Sequence, residues 1–287
     1  MATRAASDLK FTTADGRKLS YRRMGRGPVL VCHPGGPGLA STYMGDVAGL
    51  WERFTLVVLN PRGTDGSDRP SDRGAYHVDE YASDLEELRQ HLGLETMMLL
   101  GFSHGGLVAQ AYASASPSRV SRLVLAGTAA RFGPEQEAAT KASKDKRSGE
   151  SWYADAVAAG QEDLDLATDE QIRDNMFRGM PFWFAHFGPA EAGYVDTLRS
   201  ETINGDALRA FGEELESLDL RGRLGDITAP TLVITGDEDY VCGPVCAVEI
   251  SAAIRGAREV IVGDSGHMIF IEQPQAFHDE VAGFLES

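Results

Sequence analysis

Residues 101–105 read Gly101-Phe102-Ser103-His104-Gly105, a serine with a glycine two positions away on either side. An apolar run, TMMLL (96–100), leads into it, and an alanine-rich stretch follows to about Ser116. This context predicts a strand, a sharp turn and a helix, with Ser103 on the turn. Side chains at 101 and 105 would collide with neighbouring elements there, so the turn needs glycine at both. It would lift the Ser103 hydroxyl above the sheet edge, at a helix N-terminus where free N–H groups favour developing negative charge. Ser103 is the candidate nucleophile.

A serine hydroxyl is nearly inert at neutral pH without a base. Of the seven histidines, His267 follows a predicted strand and sits in Gly263-Asp264-Ser265-Gly266-His267, a small-residue loop before the last helix. Loops after parallel strands share one sheet edge, which is where a base for Ser103 belongs. His77, His91 and His278 lie in polar or helical settings. His104 directly follows the serine and points elsewhere, although it could touch a substrate. The base needs an acid to fix its tautomer. The strand TLVIT (231–235) ends in Gly236-Asp237-Glu238-Asp239, whereas the end of the preceding strand, Gly127 to Arg131, offers no carboxylate. Asp239 is the expected acid, with Asp237 as the alternative. A third segment, His33-Pro34-Gly35-Gly36-Pro37-Gly38, follows an apolar run and can present backbone N–H groups closely. The Gly36 amide, with Gly35 next, and the His104 amide are the candidate oxyanion donors.

The elements that must position these groups are legible along the chain. It has 287 residues, 43% of them hydrophobic, which suits one large domain or two modest ones. Strands are expected at 9–14 and 18–24, joined by a hairpin at Ala14-Asp15-Gly16-Arg17, and at 28–32, 55–59, 96–100, 122–126, 231–235 and 258–262. Helices are expected from Asp79 to Leu92, after Ser103, at about 243–255 and at 274–286. Uninterrupted runs of β-branched residues and leucine read as strands buried on both faces, and their alternation with helices predicts a doubly wound, mostly parallel α/β sheet. Residues 129–226 break this pattern. They are helical, rich in charge and without a convincing buried strand. The expected organisation is an α/β core at 1–128 and 227–287 with a helical cap inserted at 129–226. Within the insertion Phe177, Phe182, Trp183, Phe184 and Phe187 form an aromatic patch. Phe182, Trp183 and Phe184, together with Gly35, are the candidate substrate-binding residues, the rings walling an apolar pocket above Ser103.

Composition excludes several classes of function. The formal net charge is -16, which disfavours nucleic acid and anionic membrane surfaces as partners. No apolar run approaches a membrane span. Residues 1–18 lack the apolar core of a signal peptide, so a cytoplasmic location is expected. The three cysteines, Cys32, Cys242 and Cys246, form neither a disulfide framework nor a metal site and read as small apolar fillers. No phosphate-cradling glycine motif occurs, and neither a metal nor an organic cofactor is implied. The expected partner is a small molecule or short peptide.

The chain order Ser103, Asp239, His267, on this strand and helix pattern, resembles the α/β-hydrolase superfamily over nearly the whole chain. Within it, Gly35-Gly36-Pro37-Gly38 and Arg62-Gly63 with Gly66-Ser67 are similar to the proline iminopeptidase group. Pro34 separates His33 from the glycines, and Asn60 stands where that group usually has aspartate. The resemblance implies a serine hydrolase fold and the removal of N-terminal proline from short peptides, with acidic cap residues binding the free α-amine. Glu201, Glu213, Glu214 and Glu216 lie in the expected cap, but none falls in a matching motif, and 176–187 holds no carboxylate. Carboxylester or lactone hydrolysis is the alternative. A non-catalytic binding protein on the same scaffold is a further one.

Overall fold

The computed structural model describes residues 7–287. The expectations for residues 1–6, the start of the expected core segment, lie outside the described residues. Eight strands form one sheet: β1 (Ser7–Thr12), β2 (Lys18–Gly25), β3 (Val29–His33), β4 (Thr55–Asn60), β5 (Met97–Phe102), β6 (Val120–Ala126), β7 (Thr231–Gly236) and β8 (Arg258–Val262). Their spatial order is β1-β2-β4-β3-β5-β6-β7-β8. β2 runs antiparallel to both β1 and β4, and every other pair is parallel. The first strand ends two residues earlier than the sequence suggested. The Thr13 N–H and hydroxyl both turn onto the Arg17 carbonyl, and the hydroxyl also meets Asp15, so the hairpin turn begins at Thr13.

Helices cover both faces, which explains the unbroken apolar runs. On one face α1 (Val78–His91), α2 (His104–Ala115) and α9 (Pro244–Ala253) pack over Leu99, Leu123, Leu125 and Val233. On the other, α11 (Pro274–Glu286) sets Phe277, Val281 and Leu285 against Leu100, Val124, Leu232 and Ile234. Alternate residues of β6 thus serve opposite cores. Each such fully buried Leu or Val contributes about 1.5–3 kcal/mol, so a charge at Leu125 would undo the α2 face. The short α10 (Ile269–Glu272) precedes α11.

Between β6 and β7 the chain adds no strand to the sheet. It forms α3 (Pro134–Lys146), α4 (Tyr153–Ala159), α5 (Asp169–Gly179), a 3-10 turn (Met180–Trp183), α6 (Pro189–Thr197), α7 (Gly205–Leu215) and α8 (Arg221–Leu224). α3 opens on proline, and α5 opens on a capping box in which Thr168 and Gln171 satisfy each other's backbone N–H groups. Among the described residues no helix is long and apolar enough to cross a membrane.

Strand register positions the site. His33 pairs with Gly101, Phe102 with Ala126, Ala126 with Ile234, and Gly236 with Val262. β3, β5, β6, β7 and β8 therefore finish at one edge. The segments after them, at 34, 103, 127, 237 and 263, emerge side by side.

Candidate active site

Ser103 occupies the junction of β5 and α2 with φ 54° and ψ −121°, a conformation that L-residues rarely adopt. Its N–H bonds the Ala126 carbonyl at 2.9 Å, and Thr128 Oγ1 donates to its carbonyl at 2.8 Å. The flanking glycines are required by close approach. A Cβ on Gly101 would meet the Gly105 carbonyl oxygen at 2.3 Å, and one on Gly105 would meet the His33 carbonyl oxygen at 2.3 Å.

His267 Nε2 lies 3.0 Å from Ser103 Oγ, and its Nδ1 lies 2.8 Å from Asp239 Oδ2. An ionised carboxylate only accepts, so Nδ1 carries the proton and Nε2 is left to accept the Ser103 hydroxyl. Asp239 Oδ1 accepts the N–H groups of Val241 and Cys242 at 2.8 and 2.9 Å, and Thr235 Oγ1 reaches Oδ2 at 3.3 Å. Burial alone would raise its pKa. Electrostatic attraction and the hydrogen bond from His267, with the N–H groups of Cys242 and Val241, outweigh burial and hold the carboxyl below the usual range. Asp237, the alternative acid, is exposed and instead accepts the Ser265 N–H at 3.2 Å, bracing the histidine loop.

The histidine loop is tied to the helical insertion. The His267 N–H donates to the Trp183 carbonyl at 2.7 Å. Glu272 accepts the N–H of Ala185 at 2.7 Å with one oxygen and that of Gly266 at 2.8 Å with the other. Burial raises this half-buried carboxyl, partly offset by those bonds.

Gly36, at φ 66°, and His104, the first residue of α2, both line the cavity at Ser103. Among the described residues neither backbone N–H has a hydrogen-bond partner. Gly35 differs from the expectation that it contacts substrate. Its N–H donates to Tyr43 Oη at 2.6 Å, and it is absent from the cavity wall. The His33 and His104 imidazoles are buried. Burial depresses His33 to about 4, a shift only partly offset by its bond to the Pro34 carbonyl, and burial with the neighbouring His33 depresses His104 to about 3. Burial pushes the Cys32 and Cys246 thiols up to about 12, which leaves them protonated and unreactive.

Above Ser103 lies a cavity of about 320 Å3. Phe182 and Trp183 line it, as do Ile172, Met176 and Leu208 from the helical insertion. Phe184 does not line it, which corrects its expected contact with substrate. Its ring is 1% exposed and packs on Phe187 and Tyr194, because the chain turns extended after Trp183 and aims it into the core. Among the described residues no aspartate or glutamate lines the cavity. Glu201 is bonded by Thr42, Glu213 pairs with Arg73, and Glu214 accepts the Val78 N–H at the start of α1. Arg62, part of the Arg-Gly resemblance, is likewise structural. It is buried on Asp84 of α1 at 2.6 Å.

Sequence reasoning missed Tyr43, Thr128, Glu272 and Lys144. The first three act through backbone groups of other segments, for which local sequence carries no signal. Lys144 lies in the very polar stretch 141–150, whose composition gives no sign of a cavity wall.

A family model described as the alpha/beta hydrolase fold matches residues 28–274. The chain belongs to that family. It is 24% identical over 286 residues to proline iminopeptidase PfmaB of Pestalotiopsis fici, spanning 97% of this chain and 99% of that one. It is 26% identical over 285 residues to 3-oxoadipate enol-lactonase 2 of Acinetobacter baylyi, spanning 96% and 95%. An esterase structure from Exiguobacterium antarcticum superposes with a TM-score of 0.76 at 24% identity, over 98% of this chain and 100% of that one, a likeness of fold.

Proposed function

We propose that the protein is a serine hydrolase that opens a small, largely apolar ester or lactone through an acyl-enzyme. The observation that carries this reading is the unbroken hydrogen-bond line from Ser103 Oγ through His267 to Asp239, opening into a cavity walled mainly by apolar side chains. Ser103 Oγ attacks the acyl carbon as His267 Nε2 takes its proton. The Asp239 carboxylate holds the ring and stabilises the imidazolium. The N–H groups of Gly36 and His104 receive the oxyanion, each donor being worth about 3–4 kcal/mol in the transition state. Collapse expels the leaving group, which takes the proton from His267. A water then gives its proton to His267, attacks the acyl-enzyme and releases the acid, restoring Ser103. The steps need no cofactor. The helical segment 129–226 acts as the cap that excludes water from the bond being broken.

Labelling with a fluorophosphonate, and turnover of p-nitrophenyl butyrate, test the reading. Both are expected in the parent protein and both should vanish in Ser103→Ala. Retained turnover in that variant would remove the assignment.

A second reading, removal of an N-terminal residue from short peptides, is favoured by the proline iminopeptidase relative and by the Gly35-to-Gly38 and Arg62-Gly63 stretches. Ester or lactone chemistry ranks above it because the cavity wall offers no carboxylate to an α-ammonium group. Faster turnover of proline-p-nitroanilide than of p-nitrophenyl butyrate would reverse that order.

A further inference from the structure

Among the described residues that line the cavity there is no acid and one lysine. Lys144, on the last turn of α3, lines it together with Ser103 and His267. Its basic neighbours are all matched by carboxylates. Lys141 ends on Asp145 at 2.6 Å, Lys146 on Glu238 at 3.0 Å, and Arg147 on Glu238 at 3.7 Å. Lys144 has no carboxylate partner among the described residues. Its ammonium instead stands 5.4 Å from the centroid of the Phe182 ring and 5.5 Å from that of Tyr240. Aromatic faces hold a cation in place without neutralising it. The result is a half-buried positive charge, fixed by two rings at the wall of a mainly apolar chamber.

The placement has a chemical meaning. A protein of net charge -16 repels anions at long range. A single uncompensated cation inside the chamber reverses that preference at short range, where fewer waters screen it. Tyr240 directly follows Asp239, so the ring beneath Lys144 belongs to the segment that holds the acid of the hydrogen-bond line.

We infer that Lys144 is the counter-ion for a carboxylate carried by the substrate, so that the enzyme takes short anionic acyl compounds, such as hemiesters of dicarboxylic acids or lactones bearing a carboxylate. This rests on the serine hydrolase reading and adds to its apolar ester or lactone a carboxylate at the end away from the scissile bond. The anionic end docks on Lys144 above Phe182 and Tyr240, while the scissile carbonyl lies at Ser103. An α-ammonium substrate would meet like charge there.

Two esters with the same leaving group and the same acyl length test this: mono-p-nitrophenyl glutarate, which is anionic, and p-nitrophenyl pentanoate, which is neutral. The readout is the ratio of their kcat/KM values. The parent protein should favour the glutarate ester. A charge-assisted hydrogen bond contributes enough that Lys144→Met should lower the ratio about ten- to hundredfold, mostly through KM of the anionic ester. Lys144→Arg should restore most of it. An unchanged ratio in Lys144→Met, or equal losses on both esters, would overturn the inference. So would a parent protein indifferent to the carboxylate. Failure of the underlying reading looks different: Ser103→Ala would then still turn over both esters.

Discussion

A methyl group on Gly35 would stand 2.5 Å from Cβ of Ser103. The glycine loop after β3 and the serine turn after β5 are therefore in backbone-to-side-chain contact, and neither can move without the other. Gly35→Ala should displace the serine turn or the loop that presents the Gly36 N–H. Misplacement of this kind costs on the order of 100-fold in rate. The expected result is a loss of that size in kcat for p-nitrophenyl butyrate with a circular dichroism spectrum like the parent's. Parental kcat would show that the contact does not govern the chemistry.

Asp239 receives hydrogen bonds from His267, Thr235, Val241 and Cys242. Asp239→Asn keeps the shape but offers an amide N–H where the ring N–H must donate, forcing the other imidazole tautomer. A fall in kcat of about 10⁴-fold is expected. Asp237→Asn, which touches the loop and not the ring, should lose less than about tenfold. Equal losses in the two variants would contradict the role given to Asp239.

Glu272 bridges the Ala185 and Gly266 amides and so couples the aromatic segment to the histidine loop. Glu272→Ala leaves two amides without their acceptor, a cost of about 1–3 kcal/mol in stability for each. It should also lower kcat with little change in KM, because the loop carrying His267 loosens while the cavity wall stays. Paired urea melts and steady-state kinetics measure both. A variant destabilised but parental in kcat would leave Glu272 a structural brace only.

Two buried histidines set the acid limb of stability. Burial holds His33 at about 4 and His104 at about 3 in the folded chain, against about 6.5 unfolded. The unfolded chain therefore binds more protons below that value. Stability should be level above about pH 6.5 and fall as pH drops, by up to about 1.4 kcal/mol per unit for each histidine, until about pH 4 for His33 and about pH 3 for His104. Urea midpoints from pH 7 to 4 report the slope, and His104→Gln should flatten it. A His104→Gln protein with the parental slope would refute the assignment.

The parallel strands were legible because residues buried on both faces must be apolar throughout. The alternation at Leu123, Val124 and Leu125 assigned neighbours to opposite cores, but the sequence could not say which helix met which. Ser103, Asp239 and His267 were readable one at a time, from a glycine-flanked turn and two loops after strands. Asp239 was the expected acid ahead of Asp237, and the structure adds why they differ: a single residue, Glu238, separates them, yet Asp239 meets the His267 ring while Asp237 meets the Ser265 N–H. Phe184 was misread for a related reason. Four aromatic rings in a run of six residues share one composition, and only the turn ending at Trp183 decides which rings face a cavity and which face the core. Lys144 was hidden by its charged neighbours, two of which, Lys146 and Arg147, pair with Glu238, far away in sequence.

The backbone angle at position 103 has an evolutionary implication. Glycine suits φ 54° better than serine does. Ser103→Gly should thus yield an inert descendant that withstands heat better than its parent. Loss of chemistry and gain of robustness can arrive in one substitution, and a lineage that needed only the chamber would find that step downhill.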